Sequence, residues 1–345
     1  MKKMLALLLA LVMVLSLAAC ASSQPAAAST ETAETTETTE PAAEESAEAP
    51  AESGKTYTVG VCQLVQHEAL DAATQGFVDA LKEELGDAVT VDVQNASGDS
   101  VNCGTIVNGF VSEGVDLIMA NATPALTAAV SATADIPILG TSITAYGVAL
   151  DIDDFNGTVG GNVSGTSDLA DLQAQAQMIL DWFPETKTVG LLFCSAEPNS
   201  RYQIDEVRKA LEAQGVTCEE FAFTDSNDVS SVTQKAADFS DVVYIPTDNT
   251  AASNTEAIAN VLIPAGVPAV CGEEGLCRGC GVATLSISYY DLGVTTGKMA
   301  AKILKGEADI STMPVEYTDA TPKYNASVCE QLGITPLDGY EAIDG

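Results

Sequence analysis

The chain alternates between short apolar runs and longer segments whose apolar residues recur at helical spacing. Residues 57–63 have the two-residue period of a strand, and residues 69–85 carry apolar side chains on one helical face. This strand-then-helix pattern continues to Leu139, and a second series begins after Asp168. The further predicted strands are 89–93, 117–120, 136–139, 188–194, 218–223, 242–245 and 269–271, and the further predicted helices are 101–113, one ending at 130, one ending at 182, 201–214, 229–237 and 251–265.

Strands that alternate with helices of this length predict parallel sheets with helices on both faces. Two such series predict an α/β protein with two doubly wound parallel-sheet lobes. Right-handed crossovers place the loop after each strand at the carboxyl edge of its sheet, where open α/β sheets bind ligands. If the two edges face each other, the loops that meet in one cleft are 64–68, 121–124, 140–144, 195–200, 246–250 and 272–280.

These loops are polar, although the strands before them are apolar. They carry amides, hydroxyls and carboxylates beside predicted helix starts. This chemistry suits a ligand with an ammonium and a carboxylate: Asp248 or Glu197 can face the cation, while Ser, Thr and backbone N–H groups receive the anion. The same residue types are also ordinary helix N-caps, so each single position has that alternative. Together they favour a ligand site.

The first twenty residues have the pattern of an export signal. Lys2 and Lys3 precede an apolar run from Met4 to Leu17, and small residues lead to Cys20. The run is shorter than the ~20 residues that a membrane-spanning helix needs. Its end resembles the bacterial lipobox, which implies a lipoprotein signal peptide at 1–19, cleavage before Cys20 and acylation of the Cys20 thiol. An uncleaved anchor or an accidental cysteine is the alternative.

Residues 20–54 form an acidic, low-complexity segment. Between Ala21 and Gly54 the chain has eight glutamates and no aromatic residue, Lys or Arg, so it cannot bury enough apolar area to offset its ordering entropy. We expect a disordered, lipid-anchored stalk. The whole chain has 14 Lys+Arg against 49 Asp+Glu, a formal charge of −35. This balance argues against nucleic acid and against docking on anionic lipid, so the lipid and stalk must supply the membrane attachment.

Eight cysteines remain after Cys20. Cys62 and Cys194 lie in apolar runs that predict buried strands, where a free thiol packs as a small apolar group. The spacing of Cys271, Cys277 and Cys280 resembles that of metal ligands, but no second pair and no nearby His completes a set of four. Loop cysteines or one local disulfide are expected, with the pairing open. No metal or cofactor is predicted.

His67 is the single histidine of the chain. A Ser-His-Asp or Cys-His mechanism therefore has one possible base, and a catalytic zinc site usually takes two or more histidines. The position of His67 in the first cleft loop suits a hydrogen bond to a ligand. The sequence predicts a protein that is not an enzyme.

Six segments resemble the substrate-binding lipoproteins of ABC importers, and more narrowly the branch associated with tryptophan and other aromatic amino acids. The resemblance covers nearly everything after the stalk. It implies a type I periplasmic-binding fold, in which two lobes joined by three crossing strands close on a ligand through a hinge. The segments are Val65-Gln66-His67-Glu68-Ala69-Leu70-Asp71, Ala122-Thr123-Pro124-Ala125, Gly160-Gly161-Asn162-Val163-Ser164-Gly165-Thr166-Ser167-Asp168, Glu197-Pro198-Asn199-Ser200, Tyr244-Ile245-Pro246-Thr247-Asp248-Asn249 and Tyr289-Tyr290-Asp291-Leu292-Gly293.

The resemblance also implies lobe boundaries and ligand contacts. Residues 55–164 plus 288–312 would form the first lobe, and residues 165–287 plus 313–345 the second. The implied contacts are Gln66, His67, Thr123, Pro124, Ser142 and Thr144 from the first lobe, and Thr166, Ser167, Asp168, Glu197, Asn199, Ser200, Thr247, Asp248 and Asn249 from the second.

The chain departs from the family pattern at two places. Gln66 and Glu68 flank His67 where an acidic residue and a proline are expected, and Cys277 and Cys280 occupy a loop that is usually free of cysteine. The first departure touches the predicted cleft directly, so it bears on which ligand is bound.

The expected function is capture of a small zwitterionic solute outside the cytoplasm. An aromatic amino acid such as tryptophan is the expected ligand, and a lipid-anchored monomer would deliver it to an ABC permease driven by a cytoplasmic ATPase. The alternatives are a binder of another amino acid or a nucleoside, and a sensor lipoprotein that reports ligand occupancy to a membrane receptor.

Overall fold

The computed structural model describes residues 55–343. The predicted signal peptide, Cys20 and the predicted stalk lie outside the described residues. The first series of elements is β1 (Tyr57–Gln63), α1 (Glu68–Leu85), β2 (Val89–Asn95), α2 (Ser100–Glu113), β3 (Leu117–Asn121), α3 (Thr123–Ala132), β4 (Ile138–Ile143), α4 (Tyr146–Ala149) and β5 (Val163–Ser167).

The second series continues the same alternation. Its elements are α5 (Leu172–Trp182), β6 (Thr188–Cys194), α6 (Pro198–Glu212), β7 (Thr217–Phe223), α7 (Val229–Phe239), β8 (Val242–Ile245), α8 (Asn249–Ala252), α9 (Thr255–Ala265), β9 (Ala269–Cys271), α10 (Glu274–Cys280) and β10 (Ala283–Ser286). The last elements are α11 (Tyr289–Lys305), β11 (Glu316–Tyr317), β12 (Thr321–Tyr324), α12 (Ala326–Leu332) and β13 (Glu341–Ala342).

Two sheets organise these elements. The first has the order β11-β5-β4-β3-β1-β2, with parallel strand pairs throughout. The second has the order β13-β12-β10-β9-β8-β6-β7, in which the β10–β12 pair is antiparallel and the others are parallel. The predicted α/β class with two doubly wound, mainly parallel sheets is therefore confirmed.

The central strands are apolar because helices cover both of their faces. In β3, Leu117 and Met119 pack in one apolar cluster, while Ile118 and Ala120 pack in another on the opposite face. Such strands appear in a sequence as uninterrupted apolar runs instead of alternating ones. Their carboxyl ends are where the apolar runs stop and the polar loops begin.

The chain passes between the two sheets three times: after β5, between β10 and α11, and between β11 and β12. Each sheet with its covering helices is called a lobe below, although the residue boundaries of the lobes stay a prediction. After β10 the chain returns to the first lobe, where α11 packs along α1. Glycines let these two helices approach closely, since a Cβ on Gly293 would lie 2.0 Å from the carbonyl oxygen of Ala73.

Three predicted segments needed correction. The segment 272–280, predicted as a loop, contains helix α10, which Glu273 caps by accepting hydrogen bonds from the N–H groups of Gly275 and Leu276. Two of the seven residues of α10 are glycines, whose helix propensity is low, so the sequence pattern does not predict this helix. The helix predicted at 251–265 is two helices, α8 and α9, and the one predicted from Arg201 begins at Pro198, a residue type suited to a first turn.

The cysteines of residues 55–343 are all free thiols, and all but the partly buried Cys218 are buried. Cys277 and Cys280 on the buried face of α10, and Cys271 at the end of β9, belong to one apolar core cluster instead of an exposed loop. Within the same residues, no cluster of three or more His, Cys, Asp or Glu side chains is placed to hold a metal ion. No helix in this part of the chain is both long and apolar enough to cross a bilayer.

We predict that Gly293→Ala destabilises the protein by about 1–3 kcal/mol, because the new methyl group would be forced against the α1 backbone. Gly104→Ala in α2 is the matched control, since nothing lies within 4 Å of the position of its Cβ. That change should leave stability unchanged or raise it by about 0.5–1 kcal/mol. Urea unfolding measures both variants, and equal stability for the two would contradict the tight α1–α11 contact.

Candidate ligand-binding cleft

The carboxyl edges of the two sheets face each other and enclose a small inner cavity. Both lobes contribute to its walls. The lining residues are His67, Leu70, Ser142, Thr144, Asp168, Asn199, Thr247, Asp248, Asn249, Ala252, Glu273 and Tyr289. The free space among them is about 10 Å³, room for about one water molecule. A solute can therefore enter only when the lobes move apart.

The inner cavity brings together eight of the predicted contact residues. These are His67, Ser142, Thr144, Asp168, Asn199, Thr247, Asp248 and Asn249. Two others, Pro124 and Glu197, line an outer cavity of about 420 Å³ between the lobes, and Gln66 lies in a groove beside α10.

The remaining four predicted residues are buried away from both cavities. Thr123 starts helix α3, and Ser200 donates its hydroxyl to Asp248. The hydroxyls of Thr166 and Thr296 are 2.8 Å apart, and Ser167 donates to the carbonyl of Thr144. Leu70, Ala252, Glu273 and Tyr289 also line the inner cavity and are not among the predicted ligand contacts, although Glu273 lies in the predicted cleft loop 272–280.

Four side chains of the inner cavity each have a buried polar atom without a hydrogen-bond partner in residues 55–343. These atoms are His67 Nδ1, Ser142 Oγ, Asp168 Oδ1 and Asn199 Oδ1. Leaving such an atom unsatisfied costs about 1–3 kcal/mol. Four of the nine such atoms within residues 55–343 therefore belong to residues that line this one cavity.

Asp168 follows β5, at the first crossing between the lobes, and is only 6% exposed. Its Oδ2 accepts a hydrogen bond of 2.8 Å from the hydroxyl of Tyr289. Burial raises the pKa of Asp168, and the hydrogen bond from Tyr289 opposes that shift. Its Oδ1 has no hydrogen-bond partner among residues 55–343.

His67 sits at the start of α1, and its Nε2 lies 3.2 Å from Oδ1 of Asn249 in the other lobe. An amide oxygen only accepts, so Nε2 carries the hydrogen. Burial lowers the pKa of His67, while the hydrogen bond to Asn249 opposes that shift. A neutral imidazole that donates through Nε2 leaves Nδ1 as an acceptor facing the cleft.

The carboxylate of Asp248 is held within the second lobe. Oδ2 accepts from the Cys194 N–H at 2.6 Å and the Ser200 hydroxyl at 2.8 Å, and Oδ1 accepts from the Ala251 N–H at 2.8 Å. Burial and then the nearby charge of Glu197 raise the pKa of Asp248 to about 8. Its hydrogen bonds join the ends of β6 and β8.

Glu197 is held in the same way. Oε1 accepts from the N–H and hydroxyl of Thr250, and Oε2 accepts from Asn199 and from the N–H and amide of Asn249. The expectation that Asp248 or Glu197 faces a cation stays a prediction. The geometry favours Asp168, because it keeps an unpaired oxygen.

The backbone is strained where two first-lobe strands reach the cleft. Ala122, after β3, has φ 88°, and Ser142, in β4, has φ 56°. Side chains rarely adopt this left-handed region, and such strain clusters at functional sites.

Among the described residues, three polar contacts that cross the cleft are an ion pair and two side-chain contacts. Arg278 on α10 forms an ion pair of 3.0 Å with Glu68 on α1. The other two are the His67–Asn249 contact and a 3.5 Å contact between the hydroxyls of Thr144 and Thr247. The structure is thus a closed arrangement of the two lobes.

The model of ABC transporter substrate-binding proteins matches residues 58–339. The chain belongs to this family. Its members act outside the cytoplasm as solute-binding components of ABC systems, together with a permease. The type I periplasmic-binding fold implied by the resemblance is confirmed.

Three relatives illustrate the similarity. A tyrosine-binding protein of Clostridioides difficile (strain R20291) is 32% identical over 276 residues, which cover 78% of this chain and 79% of the relative. An ABC domain from Streptococcus pneumoniae in complex with L-Trp is 32% identical, with a TM-score of 0.79 over 84% of this chain and 100% of that one. A substrate-binding protein with adhesive properties from Clostridium difficile, in a ligand-free, open structure, is 33% identical, with a TM-score of 0.64 over 84% and 99%.

The two solved relatives are almost equally similar in sequence, yet this substrate-binding protein superposes better on the one that holds L-Trp. The lower TM-score with the open, ligand-free structure agrees with the closed arrangement of the lobes in this chain.

We predict that Glu68→Gln shifts the ligand-free protein toward open forms by a factor of about 1.4–5, since an exposed ion pair contributes about 0.2–1 kcal/mol. The radius of gyration from small-angle X-ray scattering should rise, and the difference from the parent protein should fade in ~1 M salt. Glu84→Gln is the control, because the Glu84–Lys305 pair of 2.8 Å joins α1 and α11 within one lobe. A radius that Glu68→Gln leaves unchanged at low salt would contradict a role of this pair in closure.

Proposed function

We propose that this substrate-binding protein captures an aromatic amino acid, tyrosine or tryptophan, between its lobes and delivers it to an ABC permease. The observation that carries the proposal is the set of four unpaired, buried polar atoms around the inner cavity. The relatives named for tyrosine and tryptophan support the ligand class. Binding, without the making or breaking of covalent bonds, is the proposed activity, and it involves no cofactor.

An amino acid head group matches the unpaired atoms chemically. An ammonium has N–H donors for Asp168 Oδ1, Asn199 Oδ1 and neutral His67 Nδ1, and the Ser142 hydroxyl can donate to the carboxylate. The predicted contacts outside the inner cavity remain proposals that rest on the family resemblance.

The outer cavity is the proposed place for the aromatic ring. Its volume of about 420 Å³ lies in the range of small-molecule sites, about 300–1,000 Å³. Leu64, Val65 and Pro124 provide apolar surface from the first lobe, and Glu197 lies on the opposite wall. Asn249 borders both cavities, so a single ligand can extend from one to the other once the lobes reopen and close around it.

Closure follows from contacts to both lobes. A ligand shifts the open–closed equilibrium only by its difference in affinity for the two states. Ser142 and His67 come from the first lobe and Asn199 from the second, so the full set of contacts exists only when the lobes are closed.

A ligand screen by thermal unfolding of the full-length chain in detergent tests this function. Ligand at 100 times its dissociation constant should add about 2.7 kcal/mol of stability. Tyrosine or tryptophan should raise Tm by several degrees, and Asp168→Asn should abolish the response. Asp171→Asn is the control, since Asp171 only caps α5 and asparagine caps equally well. A response confined to sugars or nucleosides would overturn the aromatic amino acid assignment.

We also propose that the mature protein is a monomer anchored by lipid on Cys20, with residues 20–54 as the stalk. Cys20→Ser removes the thiol that would be acylated, so the protein should move from the membrane fraction to the soluble fraction. Cell fractionation and the mass of the N-terminal peptide measure this. A Cys20→Ser protein that stays in the membrane fraction would contradict the lipid anchor.

A further inference from the structure

Tyr289 and Asp168 join two of the chain's three passages between the lobes. Asp168 follows β5 and Tyr289 opens α11 after β10, and they are 6% and 7% exposed. The Tyr289 hydroxyl donates to Asp168 Oδ2 at 2.8 Å, while Asp168 Oδ1 has no partner within residues 55–343. Both residues line the inner cavity.

We propose that Tyr289 is a positioning residue that holds Asp168 as the counter-ion of the ligand's ammonium, so that only solutes with a free ammonium group are captured. This inference rests on the proposed function and adds the orientation of the ligand to it. The ammonium lies at the hinge side of the cleft, where the chain crosses between lobes.

The titratable groups that line the inner cavity supply no cation to Asp168. Glu273 and Asp248 also line the inner cavity, together with His67, whose pKa is lowered by burial, and no Lys or Arg is among the described residues that line it. Burial raises the pKa of Glu273 to about 7. Two further neighbours are Thr144, whose side-chain hydrogen bond also lowers the pKa of Asp168, and Tyr146, whose buried hydroxyl donates to the carbonyl oxygens of Gly140 and Thr166.

The hydroxyl of Tyr289 can be tested apart from its ring. The ring packs against Ala69, Ala73, Ile287 and Leu292, and phenylalanine keeps that packing. Tyr289→Phe therefore removes the hydrogen bond to Asp168 with little other change. The matched control is Tyr244→Phe, because the buried Tyr244 hydroxyl donates to Gln175 at 2.5 Å inside the second lobe, away from the cavity.

Losing the Tyr289 hydrogen bond removes a contact that favours the ionised form of Asp168, so its pKa should rise further. At pH 7, Tyr289→Phe should weaken binding of tyrosine or tryptophan about tenfold. The pH at which binding is lost on acidification should also move upward. Tyr244→Phe should change neither quantity. Isothermal titration calorimetry of both full-length variants between pH 4 and 8 measures both effects.

The ligand's part is tested with analogues. The N-acetyl derivative of the bound amino acid, and the analogue that lacks the amino group, should each bind the parent protein at least a hundredfold more weakly than the amino acid, since Asp168 Oδ1 would face no cation. Equal binding of the N-acetyl derivative would overturn the inference.

A ligand-free measurement separates this inference from the proposed function. Because Asp168 has a raised pKa in the folded state, its ionisation lowers stability as pH rises through that pKa. The stability lost in Tyr289→Phe should therefore be larger at pH 7 than at pH 4, whereas the loss in Tyr244→Phe should be the same at both.

A parent protein that binds an aromatic amino acid while Tyr289→Phe binds equally well overturns this inference alone. A parent protein that binds no amino acid overturns both proposals.

Discussion

The compensation of buried carboxylates is the constraint on which the cleft depends. A carboxylate that is buried needs hydrogen-bond donors or a cation, because moving its charge out of water costs roughly several kcal/mol of free energy. Asp248 and Glu197 find their donors inside the second lobe, among backbone N–H groups and neighbouring side chains. Among the described residues, Asp168 accepts a well-formed hydrogen bond at Oδ2, from Tyr289, and its Oδ1 has no partner of hydrogen-bond geometry. The second-lobe rim is therefore preorganised without a ligand, whereas the carboxylate beside the hinge is incomplete.

Two of the polar contacts that cross the cleft between described residues are individually weak. The Glu68–Arg278 pair is solvent-exposed, and the Thr144–Thr247 contact of 3.5 Å is at the limit of a hydrogen bond. Weak closure suits a protein that must release its ligand to a permease. Cys277 and Cys280 lie in the core and do not line the inner cavity.

Strands β6, β8 and β9 were predicted to the residue, because buried parallel strands are uninterrupted apolar runs between turn residues. Helix α10 was missed, because its glycines and cysteines give no helical signal and Glu273 resembles any loop acid until its capping bonds are seen. Tyr289 stood in a motif of the family resemblance, but only its hydrogen bond to Asp168, 121 residues away in sequence, gives it a role in the site.

The sequence by itself determined the α/β class, the two series of strands and helices, the polar loops at the strand ends and the family. These follow from periodicity and local residue order, which a linear chain displays directly. The tertiary structure decided which buried carboxylate has hydrogen-bond donors on both oxygens and which has an oxygen without a donor. Asp248 is satisfied by Cys194 and Ser200, 54 and 48 residues away along the chain, and no local pattern records such partners. A carboxylate's role is set by the donors that folding brings to it, so only the folded chain separates a helix cap from a ligand contact.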